Sequence, residues 1–212
     1  MSEYRELLLG CGRDRSKKIN PHYFAGYGRY GDFAEFDNLV TLDCDPDCKP
    51  DILMDLNRSV GLYSQLSEIV DPDAPYWEML AVGSARQIRS DYFDEVHAYE
   101  VLEHLGALGD EQRFFADFGS IYRVLKPGGF LCATVPSRFS QWAFGDPGHK
   151  RVIPPCMLVF LDQTHYSRAV GTSTSSDYRH MYAGDFDIVM TQDDRETHRF
   201  VLQAIKPARM TS

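Results

Sequence analysis

Gly10 and Gly12 flank Cys11 at the end of a short apolar run, Leu7 to Leu9. Glycines at the tip of a strand let the backbone approach a ligand, although a close-packed turn with no ligand uses them too. Two acids end two further β-like runs: Asp43 closes "NLVTLD" and Asp55 falls within "DILMDL". A carboxylate at a strand end can accept two hydrogen bonds from a ribose diol, and these are strong and geometrically selective. Asp43 is placed for that role. Asp55 is placed to accept from the exocyclic amine of a purine, with Leu56 over the ring face. Each acid alone also suits a turn or a cap; their succession at strand ends points to a nucleoside-like ligand.

Phosphate cradles fit poorly. A P-loop needs a second glycine five residues on, followed by Lys and Ser/Thr, and none follows Gly12. The dinucleotide fingerprint needs a third glycine where Arg15 stands. It also needs an acid about 20 residues further on, and Asp43 lies well beyond that.

Catalytic candidates are fewer. His149, within "DPGHKR", sits in a loop after an expected strand and is the best candidate for a general base or for orienting an acceptor; bracing of the loop is the plainer role. Arg151 could bind an anionic group. Tyr99 either flanks the reacting group or fills the edge of the core. His104 reads as structural. The aromatic run Tyr23, Phe24, Tyr27, Tyr30, Phe33 and Phe36 suits loop packing, a lid or stacking on a flat substrate.

The elements that must hold these residues alternate between strand and helix, which predicts an α/β fold with a mainly parallel sheet. Strands are expected at about 5–9, 38–43, 51–56, 93–100 and 128–136, with a final antiparallel hairpin from about 186–191 and 198–205. The clearest helix carries Phe114, Phe118, Ile121, Tyr122 and Leu125 on one face. Asp110 is its expected N-cap, and Lys126-Pro127-Gly128-Gly129 its stop. Helices are also expected near 62–69, 76–90 and 156–170. The chain reads as one domain over 1–212, with inserts near 17–37, 58–92 and 137–180.

The 212 residues carry a net charge of −9, which argues against a broad grip on a nucleic-acid backbone. The basic run Arg13, Arg15, Lys17, Lys18 is a local exception and reads first as a solvated loop. Five irregularly spaced cysteines suit a reducing compartment rather than a disulfide framework. Cys44 and Cys48 lack a second Cys/His pair at metal-ligand spacing, so no metal is expected. No apolar stretch reaches the roughly 18–20 residues of a membrane span, and no signal-peptide pattern opens the sequence. A cytoplasmic location is the expectation.

Five blocks carry a resemblance: "LLLGCG", "LVTLDCDPDCKPDILMDLN", "FDEVHAYEVLEHL", "IYRVLKPGGFLCATVPS" and "GDPGHKRVIPP". Their order resembles that of class I S-adenosylmethionine-dependent methyltransferases, most of all the small stand-alone enzymes often encoded in phage genomes. The resemblance spans most of residues 5 to 206. It implies a Rossmann-like, seven-stranded, mainly parallel sheet with the last strand antiparallel and S-adenosylmethionine across its carboxyl edge. Carried over, Gly10, Cys11 and Gly12 would pack against the methionine part. Asp43 would hold the ribose, and Asp55 with Leu56 the adenine. Ala98, Tyr99 and Glu100 would lie beside the amino-acid end or the methyl group.

The chain departs from the family pattern at Leu8, where an acid is common, and at Asp14, where a third glycine is frequent. Asp14 is the candidate to replace that acid at the cofactor's ammonium group. A base-modifying amino methyltransferase would carry Asp/Asn-Pro-Pro-Tyr/Phe where Ala98-Tyr99-Glu100-Val101 stands, which argues against that chemistry. A small-molecule methyl acceptor is therefore the first expectation. Nucleic-acid or protein methylation, and a methyltransferase-like binding module without catalysis, remain alternatives.

Overall fold

The computed structural model describes residues 3–23, 35–57 and 88–209. Seven strands form one sheet in the order β3-β2-β1-β4-β5-β7-β6. They are β1 (Glu6–Leu9), β2 (Leu39–Asp43), β3 (Ile52–Leu53), β4 (Phe93–Tyr99), β5 (Leu125–Pro136), β6 (Phe186–Asp193) and β7 (Thr197–Ala204). β1 to β5 run parallel, whereas β7 lies antiparallel between β5 and β6. This order and the reversed seventh strand are those of the class I methyltransferase Rossmann-like fold, as the sequence implied.

The chain leaves β1 toward β2 and β3 on one side and returns to place β4 on the other. The carboxyl ends of β1 and β4 therefore flank a topological switch point, where crossover segments diverge and leave a crevice. Burial on both faces explains the near-continuous apolar runs of the central strands. Leu7, Leu9, Leu42, Val96, Ala98, Leu131 and Ala133 point to the face covered by helix α1 (Glu111–Val124). Leu8, Cys11, Tyr99, Cys132 and Val201 point to the other, where Ile19 and Phe36 cover them.

α1 starts as expected. The Asp110 side chain accepts from the Arg113 backbone N–H at 2.9 Å. It ends one residue earlier than the apolar pattern suggests, because Leu125 is already extended and pairs with Phe93. β5 therefore begins before the Lys-Pro-Gly-Gly turn, and the turn bulges out of the ladder between the Phe93 and Glu95 pairings. A Cβ at Gly129 would stand 2.9 Å from the Asp94 carbonyl oxygen, so the bulge needs glycine there.

β3 is shorter than expected, two residues rather than six. The Asp55 side chain turns the chain after it by accepting from Asn57 N–H at 2.9 Å. The stretch expected as one helix near 156–170 is broken into α3 (Pro155–Leu158), a 3-10 turn (Val159–Leu161) and α4 (Gln163–Ala169). Asp162 makes the break by capping α4, its carboxylate accepting from Thr164 N–H at 2.8 Å. A further short helix, α2 (Trp142–Gly145), lies in the loop after β5. The final hairpin is found at the sheet edge as expected. The helices expected near 62–69 and 76–90 lie outside the described residues, except for the last few positions of the second. So do most of the aromatic run's side chains; Phe36 is described.

Candidate cofactor crevice

A cavity of about 220 Å³ opens at the carboxyl ends of β1 to β4. Gly10, Asp43, Asp55, Leu56 and Glu100 line it, together with His104. Parallel pairing makes this convergence obligatory, because strands that share a direction deliver their end residues to one edge. The loops are tied together as well. Asn57 Nδ2 donates to the His104 carbonyl at 3.0 Å, and Asn57 Oδ1 accepts from Gly106 N–H at 3.2 Å.

The diglycine turn is conformationally demanding. Gly10 has φ +57° and Gly12 φ +50°, both in the left-handed region. A Cβ at Gly10 would stand 2.4 Å from Cγ2 of Val101, so the turn is also pressed against the loop after β4. A Cβ at Gly12 would meet nothing within 4 Å.

Asp43 fixes this turn. Its Oδ2 accepts from Gly12 N–H at 2.8 Å and its Oδ1 from Asp45 N–H at 2.9 Å. Burial works against its charge, but the backbone donors of Asp45 and Gly12 outweigh it and hold the carboxyl below its ordinary value. An ionised carboxylate has about four acceptor directions, and backbone donors take at least two of them here. These residues fit an adenosine-bearing cofactor: an ionised acid at the end of β2, the Gly10 backbone at the cavity edge, and Leu56 and Met54 as apolar walls; Gly12 does not line the cavity.

Other expected residues lie elsewhere. Cys11 and Ala98 are buried in the core on opposite faces of the sheet and do not line the cavity. Cys11 contributes through its backbone, donating to the Leu42 carbonyl at 3.2 Å. Tyr99 is a correction. Its side chain is turned to the face away from α1, and its hydroxyl accepts from Lys18 and Ile19 N–H, each at 3.1 Å. It also lies 2.6 Å from Nδ1 of His97. With its hydroxyl so engaged, Tyr99 anchors the chain after the glycine turn and does not line the cavity.

Asp14 is engaged locally. Its carboxylate accepts from the Ser16 hydroxyl at 2.6 Å and from Ser16 N–H at 3.0 Å, and lies 3.3 Å from Lys18 Nζ. Its side chain faces solvent and is held by Ser16 and Lys18. Arg151 is a second correction. Its guanidinium is buried, donates to the Leu105 carbonyl at 3.0 Å and lies over the Phe114 ring.

The basic run is not a solvated loop throughout. Lys17 is buried between Glu6 and Glu95. Arg15 Nη2 donates to the Cys48 and Lys49 carbonyls at 2.6 and 2.9 Å.

His149 lies beside two groups that the sequence reading treated as structural. Its Nε2 is 4.0 Å from Oε1 of Glu103, and its ring packs edge-on against His104 at 4.7 Å between centroids. Glu103 is buried. Burial pushes its carboxyl up to about 8, against a lowering by its own backbone N–H, and the Glu100 and Asp146 charges add to the rise. Glu103 was not legible as a site residue because, by the resemblance, "VLEHL" marks a flanking helix, whereas it forms a 3-10 turn at Leu102–His104. The available signal was the acid itself, set between Leu102 and His104 just past a strand end.

No family model matches the chain, and no curated protein matches it. Solved structures do resemble it in form. YcgJ from Bacillus subtilis aligns over 97% of this chain and 93% of its own, with a TM-score of 0.46 and 11% identity. A SAM-dependent methyltransferase from Archaeoglobus fulgidus aligns over 94% and 86%, with a TM-score of 0.44 and 14% identity. The N-methyltransferase NodS from Bradyrhizobium japonicum, solved with S-adenosyl-L-homocysteine, aligns over 96% and 79%, with a TM-score of 0.41 and 15% identity. At such scores the fold assignment rests on the strand order itself.

Proposed function

We propose that this chain is an S-adenosylmethionine-dependent methyltransferase acting on a small-molecule acceptor. The observation that carries the reading is the convergence of Gly10, Asp43, Asp55 and Leu56 on one cavity at the switch point of a class I methyltransferase sheet. When bound, S-adenosylmethionine supplies a methyl group already activated on a sulfonium. The chain's own task is to hold, align and desolvate.

Asp43 holds the ribose hydroxyls, Asp55 the adenine amine and Leu56 the ring face. Gly12 leaves the backbone open to the rest of the cofactor. The loop 146–151 is tied to the turn after β4 through Lys150 and Arg151, whose N–H groups both donate to the Glu103 carbonyl, at 2.7 and 3.2 Å. His149 stands on that loop and orients the acceptor. The net charge of −9 and the internal use of Lys17 and Arg15 support a small acceptor over a polyanion.

Calorimetric titration with S-adenosylmethionine and with its demethylated product tests the reading. Binding of both is expected. An Asp43→Ala chain should bind about 1–3 kcal/mol more weakly. Absence of heat from the wild-type chain ends the proposal. Binding without transfer of labelled methyl to pooled metabolites, nucleic acids or proteins would mark a binding module instead.

A further inference from the structure

Glu103 is 1% exposed, and neither of its carboxylate oxygens makes a well-formed hydrogen bond among the described residues, although its own N–H and the Glu100 carboxylate are close by. A buried acid in that state is uncommon, and protonation, an internal water or a bound cation resolves it. Two imidazoles face it. One ligand atom from each of Glu103, His104 and His149 lies within 4.8 Å of the others. Asp146 Oδ2 stands 3.9 Å from His149 Nε2, at the rim.

Both rings are held by backbone carbonyls on their Nδ1 side. His149 Nδ1 lies 2.8 Å from the Trp142 carbonyl, and His104 Nδ1 lies 3.2 Å from the Gly148 carbonyl. A carbonyl only accepts, so each Nδ1 carries the hydrogen and each neutral ring keeps its lone pair on Nε2. Backbone carbonyls fix the tautomer of metal-bound histidines in this way. The frame is preformed: Lys150 N–H donates to the Glu103 carbonyl, and Gly148 N–H donates to Asp146 Oδ1 at 2.7 Å.

We propose that Glu103, His104 and His149 bind a divalent transition-metal cation. Two imidazole nitrogens and one carboxylate favour Mn²⁺, Co²⁺ or Zn²⁺ over Mg²⁺ and Ca²⁺. Ligand atoms about 2.0–2.2 Å from such an ion stand roughly 3–3.5 Å apart, so the three side chains draw in by about an ångström on binding. The other cluster of metal-ligating types, Glu95, His97 and Cys132, is a poorer site because the Lys17 ammonium already bridges to Glu95. His104 also lines the cofactor crevice, so the cation's open positions would hold an acceptor oxygen beside it. That consequence alone rests on the methyltransferase reading.

The test uses the full chain, stripped with a chelator. Mn²⁺ binding is followed by electron paramagnetic resonance and Co²⁺ binding by its visible spectrum. One equivalent of each is expected on the wild type. Glu103→Gln and His149→Gln should each weaken binding about tenfold or more, with far-UV circular dichroism unchanged. The Cys44→Ser/Cys48→Ser chain should bind as the wild type does. Lack of binding at millimolar Mn²⁺, or equal binding by the Glu103 and His149 variants, overturns the site. Loss of binding only in the cysteine variant does the same. Failure of the methyltransferase reading would show separately, as metal binding without any heat from S-adenosylmethionine.

Discussion

The Lys17 ammonium lies 2.8 Å from Oε2 of Glu95 and also pairs with Glu6, with all three side chains at most 5% exposed. Glu95 further bonds His97 Nε2 at 2.8 Å, and Glu6 Oε2 accepts from Asp37 N–H at 2.6 Å. This network pins the segment after the glycine turn to the face of the sheet opposite α1.

Removing one member of a buried ion pair leaves an uncompensated charge. Lys17→Met should therefore destabilise the chain by about 3–5 kcal/mol in denaturant unfolding. Adding Glu95→Gln to that variant should restore part of the loss, giving a measurable coupling in a double-mutant cycle. Additive losses would mean that the pair carries no interaction of its own.

Tyr99→Phe separates anchoring from catalysis. Without the hydroxyl, the N–H groups of Lys18 and Ile19 lose their acceptor. Stability should fall by about 1–3 kcal/mol. Turnover per folded molecule, measured with labelled methyl donor, should stay within a few-fold of wild type. A drop of a hundredfold at unchanged cofactor affinity would return Tyr99 to the chemistry.

The two glycines should respond differently to alanine. At both, the left-handed backbone costs about 1–2 kcal/mol. Only at Gly10 does the new methyl strike Val101, adding about 1–3 kcal/mol of overpacking. Thermal melts should therefore rank Gly10→Ala well below Gly12→Ala. Calorimetry should show Gly12→Ala losing cofactor affinity while staying folded.

Acid sensitivity should trace to Asp185, which is fully buried. Burial raises its carboxyl, but the Arg209 guanidinium and the N–H groups of Arg209 and Gln163 outweigh this and hold it below the ordinary 3.8. Between those two values the unfolded chain binds the proton that the folded chain refuses. The stabilisation is thus complete above about pH 4 and is lost as pH falls through the lower, folded value. Asp185→Asn should flatten the acid limb of a stability–pH curve. An unchanged slope there would assign the acid sensitivity to other carboxylates.

The sequence by itself determined the strands and the crevice they feed. Apolar runs ending in Gly10, Asp43 and Glu100 are local signals, and parallel pairing brings such ends to one edge. The Asp110 cap, the α1 face and the final hairpin were legible for the same reason, since each depends on neighbours a few residues apart. Side-chain facing was not legible. Tyr99 and Glu100 are adjacent, yet strand alternation and a positive φ at Glu100 send one to the far face and leave the other at the crevice. Lys17, read as part of a solvated run, found two buried acids 11 and 78 positions away. Glu103 and His149 stand 46 positions apart, and only the fold of the 146–151 loop onto the turn after β4 brings them together. Local periodicity encodes which element forms; burial and pairing across the chain decide what each polar side chain must satisfy.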